Sequence, residues 1–235
     1  PKVIENQGEF IRFVKLLNDN DCLEHVVLIG SWAEYLYSEL GILDGYDANI
    51  RTLDIDFLVK NMRKPNQPIN ILSLAKDAGL FVEADRLNGI TKIIDPAGLE
   101  IEFLIAKKGQ GVESSVKTNL GVTAESLRHL DILSKHTSTV SFLNISIEIP
   151  KPEAFVIHKM IINSERKGKA EKDQLIICSM YPYLDKGLYS SIKNTLTKKD
   201  LVRVNEFENN YILPMLEQKS RISAAKQNLS KSNDT

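Results

Sequence analysis

The chain has 235 residues, with 43% hydrophobic and 26% charged residues and a net charge of −1, an ordinary balance for a soluble globular protein of one large domain or one domain with an appendage. No apolar run approaches the roughly 18–20 residues that a membrane-spanning helix needs, and PKVIENQGEF at the start lacks the apolar core of a secretory signal. Two distant cysteines, Cys22 and Cys178, argue against a disulfide framework or a zinc site, so a cytoplasmic protein with no membrane role is expected.

In chain order, EFIRFVKLLNDN has Phe10, Phe13, Val14, Leu16 and Leu17 at helical spacing and predicts an amphipathic helix. HVVLIG predicts a short buried strand ended by Gly30, and SWAEYLYSELG a helix with Ser31 as its cap and Gly41 at its end. GILDGYDANI reads as a loop, and TLDIDFLV as a strand with Leu53, Ile55, Phe57 and Val59 on one face and Asp54 and Asp56 on the other. INILSLAKDAGL predicts a helix, TKIIDPAGLEIEFLIA a hairpin turning at Pro-Ala-Gly, and VSFLNISIEIP one alternating strand ended by Pro150. From residue 151 onward the pattern is helical, with ERKGKAEK as a basic loop and NLSKSNDT as a loose polar tail. The expected fold class is therefore mixed α/β: residues 1–150 form a sheet with flanking helices, and 151–235 form a helical region. Residues 151–235 carry 15 Lys and Arg against 10 Asp and Glu, so the first region is the acidic one, and the second could supply counter-charge to a phosphate ligand.

Side chains at i and i+2 of a strand leave the same face about 6.5–7 Å apart along the backbone. Asp54 and Asp56 can thus close around a hard divalent cation such as Mg2+, which prefers oxygen ligands. LEIEFL repeats the geometry with Glu100 and Glu102, and a neighbouring strand would let one of them complete a three-carboxylate site for in-line phosphoryl transfer. Glu102 precedes Phe-Leu as Asp56 does, and is preferred to Glu100. A glycine where a strand turns into a helix lets a phosphate approach the helix N-terminus closely, which makes Gly30 and Ser31 candidate phosphate contacts. The four histidines show no metal-ligand spacing, and Trp32 and Tyr35 are expected to pack rather than stack on a base.

With these motifs in order, LIGSWAEYLY, RTLDIDFLV and LEIEFL together resemble the nucleotidyltransferase superfamily that includes DNA polymerase beta. RTLDIDF is similar to stand-alone bacterial members, among them the toxins of type IV abortive-infection systems. The resemblance implies that Gly30 and Ser31 hold the phosphate of an incoming NTP. It implies that Asp54, Asp56 and Glu102 bind metal and act in catalysis, with two Mg2+ ions when NTP is bound. Lys159 and Lys172 become triphosphate contacts, and Asp173 orients Lys172 or the acceptor. The acceptor would be a small molecule, a protein hydroxyl or an RNA end, and an antitoxin protein would be a possible partner of a toxin. The chain departs from the family pattern in carrying Glu102 where Asp is usual, which keeps open a catalytically silent module that binds nucleotide or a partner.

Overall fold

The computed structural model describes residues 6–48, 52–107, 109, 114–166 and 168–232, with side chains of the last helix as far as Ile222. Two compact units divide the chain, residues 1–155 and 156–235.

In the first unit the amphipathic helix α1 (Gln7–Asp19) buries Phe10, Phe13, Val14 and Leu17, as their spacing requires. The strands β1 (Val26–Ile29), β2 (Asp54–Val59), β3 (Phe81–Ala84), β4 (Thr91–Ile94) and β5 (Glu100–Ala106) lie in the order β1-β2-β5-β4-β3. Strands β2 and β5 are parallel, and the other neighbours in this path are antiparallel. Beyond β4, the same edge of β5 pairs in parallel with β7 (Thr123–Leu127), which in turn takes β6 (Ser115–Lys117). The outcome is a mixed central sheet with flanking helices, the fold class expected from the sequence.

One face of the sheet is core. Ile55, Phe57, Ile101 and Phe103 are buried there, Phe57 stacks on Phe103 with centroids 5.8 Å apart, and Phe13 of α1 packs on Phe57 at 5.9 Å. Helix α2 (Gly30–Glu39) buries Trp32, which lies flat against Phe10 at 4.1 Å, so this indole is core rather than a base-stacking surface. Gly41 closes α2 in the left-handed conformation. Its N–H donates to Ser38 O and the next N–H, from Ile42, to Tyr37 O, which satisfies two orphan carbonyls. Residues 41–48 then form the expected loop, whose last two positions, with Arg51, lie outside the described residues.

Three local expectations change. Ile29, not Ser31, holds the cap position of α2, and Ser31 sits inside the first turn. Residues 140–150 are not one strand: β8 (Thr137–Phe142) and β9 (Ile145–Pro150) form a separate two-stranded hairpin. Its two-residue loop puts Leu143 at φ +50° and Asn144 at φ +63°, the signature of a type I′ turn, and Leu at the first position hid it from the sequence pattern. Residues 228–232 are helical rather than loose, as the end of the last helix, and 233–235 lie outside the described residues.

Helices α3 (Ile71–Asp77) and α4 (Asp131–Lys135) complete those of the first unit, α5 (Pro152–Ile162) carries the division between the units, and α6 (Ala170–Met180), α7 (Lys186–Lys193), α8 (Lys198–Phe207) and α9 (Leu213–Ser232) follow. A π-turn, 208–212, joins α8 to α9 just before Pro214, whose missing N–H and bulky ring prevent an unbroken α-helix. Thr197 and Asp185 cap α8 and α7 through their side chains.

The strained turn gives a stability test. Leu143→Asn is expected to raise the urea midpoint by the equivalent of about 0.5–1 kcal/mol at unchanged m-value, because Asn tolerates positive φ better than Leu. A lowered midpoint would mean that Leu143 contributes packing that outweighs its backbone strain.

Candidate active site

Cross-strand register assembles the candidate carboxylates of the first unit. Ile29 of β1 faces Asp56 of β2, Asp56 faces Glu102 of β5, and Glu102 faces Lys92 of β4, in one row across four strands. A parallel row holds Asp54, Glu100 and Ile94. Neighbouring strands lie about 4.8 Å apart, so Asp54, Asp56, Glu100 and Glu102 share one face as a tight group of carboxylates. All four are half-buried, while Leu58 and Leu104 farther along the same face are buried. The accessible part of the face is thereby limited to the acidic rows.

Gly30 sits at the edge of this face under two constraints. Its φ of +68° suits only glycine well, and a Cβ there would fall 2.2 Å from Asp56 Oδ2. The N-terminus of α2, with its unsatisfied N–H groups and positive dipole end, therefore begins directly against the Asp56 carboxylate. Ser31 follows in the first turn, half-buried. The Thr52 hydroxyl donates to the Asp54 carboxylate from two residues before it.

Lys92 was not anticipated. Its ammonium pairs with Glu102 and also lies 2.9 Å from Glu100 Oε2. The hydrogen bonds it donates to Glu102 and Glu100 push its pKa well above the ordinary lysine value. The signal was present in the sequence: counting back through the Asp-Pro-Ala-Gly turn from Glu102 to its antiparallel partner reaches Lys92. Glu125 on β7 has its pKa raised by burial first and by the Glu102 charge second.

The remaining candidate residues lie in the second unit. Asp173, almost fully buried on α6, accepts from Lys159 Nζ of α5 at 2.6 Å, and Arg166 Nε lies 3.3 Å from its other oxygen, Oδ2. Arg166 does not have hydrogen-bond geometry to that oxygen, so this second contact is an ion pair alone. Asp173 thus holds Lys159 rather than the adjacent Lys172, which is exposed because successive helix residues point about 100° apart. Asn163 braces the pair's surroundings by donating to Ala170 O at 2.9 Å.

A cavity of about 670 Å³ elsewhere in the first unit is a different feature. Phe13, Leu16 and Ile101 line it, and Ile101 leaves β5 on the face opposite Glu100 and Glu102.

A family model described as Nucleotidyltransferase matches residues 9–191. The chain belongs to the nucleotidyltransferase family. Its class of chemistry is the transfer of a nucleotidyl group. Among solved structures, this nucleotidyltransferase is similar to an antigenic nucleotidyltransferase-like protein from Paracoccidioides brasiliensis, at 15% identity over 88% of this chain and 90% of that one, with a TM-score of 0.52. That likeness shows a shared fold. The antibiotic-resistance factor ANT(2'')-Ia also matches, at 14% identity over 92% and 97% of the two chains with a TM-score of 0.42. Its complex with adenylyl-2"-tobramycin matches at 13% identity over 88% and 99%, with a TM-score of 0.41. No curated protein matches the chain in sequence. Among the described residues no helix is long and apolar enough to cross a membrane.

Two substitutions test this geometry. Gly30→Ala is expected to destabilise the nucleotidyltransferase by about 1–3 kcal/mol, through positive-φ strain and collision with Asp56. An unchanged melting temperature would contradict the close approach. In the second unit, Asp173→Ala removes the buried carboxylate that both Lys159 and Arg166 face and is expected to cost about 3–5 kcal/mol in urea unfolding. Lys172→Ala, at an exposed position, should stay within about 0.5 kcal/mol of wild type. Equal costs for the two would contradict the assigned pairing.

Proposed function

We propose that the protein transfers a nucleoside monophosphate from an NTP to a hydroxyl acceptor and releases pyrophosphate. The observation that carries this reading is the alignment of Asp54 and Asp56 beside Glu102, with Gly30 against Asp56 at the start of α2. These residues fit Mg2+: they offer hard carboxylate oxygens on one face, and position 30 lacks the Cβ that would cover Asp56 Oδ2. A divalent cation held by Asp54, Asp56 and Glu102 would supply Lewis-acid polarisation of phosphate and acceptor oxygens, with two ions expected once NTP is bound.

The chain's own residues would divide the remaining work. The α2 N-terminus, through Gly30 and Ser31, would take a phosphate of the incoming nucleotide. Thr52 holds the Asp54 carboxylate in a fixed orientation. Glu102 would accept the proton of the acceptor hydroxyl, whose oxygen then forms a bond to the α-phosphorus as the bond to pyrophosphate breaks. Lys159 and Lys172 would offer positive charge to the triphosphate. Asp173 supports this role by fixing the Lys159 ammonium at 2.6 Å. The acceptor is a small molecule, a protein side chain or an RNA end. The wording of residues 51–57, R-T-L-D-I-D-F, supports a second reading, in which the same transfer is a toxin's reaction restrained by an antitoxin protein.

Incubation with each α-labelled NTP, Mg2+ and a cell extract tests the proposal. Wild type should label an acceptor and release pyrophosphate, and Asp54→Asn/Asp56→Asn should lower the rate by at least about 100-fold. Metal-dependent transfer no greater than that of the double variant, across all four NTPs, would reject transfer. A nucleotide-induced rise in melting temperature without pyrophosphate release would instead identify a silent nucleotide-binding module.

A further inference from the structure

Lys92 has no part in the roles given above, yet it stands in the same row as Asp56 and Glu102. Its ammonium bridges Glu102 and Glu100, one contact to each. A cation there offsets one of the two charges on the glutamate strand, and it holds Glu102 Oε1, one of the two oxygens that Glu102 could offer a metal. Among the described residues no three Asp, Glu, His or Cys side chains converge to hold a metal ion as they stand. On β2 and β5, Asp54 and Asp56 are the carboxylates outside the Lys92 bridge, while Glu125 of β7, level with Leu104, lies on the same face.

Two features make the bridge exchangeable rather than structural. The Lys92 side chain is 41% exposed, so breaking the contact does not strand a charge in the core. Glu83 of β3 is the cross-strand partner of Lys92 on its other side and is exposed, which gives a released ammonium a second carboxylate to turn to. Lysine suits such movement, since its charge is a point at the end of a flexible stem.

We propose that Lys92 is a tethered counter-cation for Glu102, which limits the nucleotide-free carboxylate face to one tightly held divalent ion and yields Glu102 to a second ion only when displaced. The inference rests on the reading that Asp54 and Asp56 hold metal. A second ion must compete with an ammonium of the same chain, whose effective concentration beside Glu102 is high. Lys92 is thus a positioning residue: it acts through Glu102 and sets the order in which the site fills.

Mn2+ titration of the full chain without nucleotide, followed by the electron paramagnetic resonance of free Mn2+ and by calorimetry, tests this directly. Wild type should hold one tight Mn2+. Lys92→Met and Lys92→Gln should each gain a second ion, or bind about tenfold more tightly, the size of effect that one opposite charge at contact has on a carboxylate. Lys92→Arg should behave as wild type, and adding Glu102→Gln to Lys92→Met should abolish the gain. Two tight ions on wild type would overturn the proposal. So would the absence of any gain in both neutral variants while Asp54→Asn/Asp56→Asn still loses Mn2+, a result that leaves the metal site standing. Absence of Mn2+ binding in every protein would overturn both the proposal and the metal site. Binding confined to the Lys92 variants would also overturn the proposal, because wild type would then lack the first ion.

Discussion

Everything at the candidate site depends on the pairing of β2 with β5. Parallel register places Asp56 beside Glu102 and Asp54 beside Glu100, and a slip of one residue in either strand would turn that strand's two carboxylates into the aromatic core. The opposite face prevents such a slip, because Ile55, Phe57, Ile101 and Phe103 are buried there, Phe57 against Phe13 of α1, and cannot be exchanged for acids. The core therefore specifies the site. Hydrophobic burial on one side of the sheet holds together a group of like charges on the other, which mutual repulsion alone would drive apart.

That arrangement explains the two departures from a plain sheet nearby. Gly30 is required because the chain must leave β1 at positive φ and bring the start of α2 against Asp56. The positive end of α2 then partly offsets the carboxylate charge and faces the position a phosphate would take. On the far side, Lys92 offsets the glutamate strand. The acidic face is thus balanced from both flanks, one flank contributed by backbone dipoles and the other by a side chain.

Much of this was legible in the sequence, for identifiable reasons. The alternation in DIDFLV and EIEFL determined which residues share a face, and the Pro-Ala-Gly turn identified the β4–β5 hairpin. Adjacency of β2 and β5 was not legible, since a parallel pair separated by more than forty residues leaves no local mark. The β8–β9 turn was missed because Leu143-Asn144 lacks the glycine that usually marks such a loop. Ser31 looked like a cap, but Gly30 already adopts the turn, so the cap falls two residues earlier, at Ile29. Lys92 was overlooked because a lone lysine in TKII reads as a wet strand residue until its register with Glu102 is counted. Asp173 and Lys172, adjacent in sequence, part company on the helix, and only packing shows that Asp173 belongs to Lys159.

The central claim is that the carboxylate rows, with the start of α2, form a metal and nucleotide site. Crystals soaked with Mn2+ and a non-hydrolysable NTP analogue would test it most directly through the anomalous signal of the metal. The account predicts Mn2+ against Asp54 and Asp56, with a phosphate of the analogue at Gly30 and Ser31. Mn2+ and nucleotide in the cavity beside Phe13 and Ile101, on the opposite face of the sheet, would contradict it.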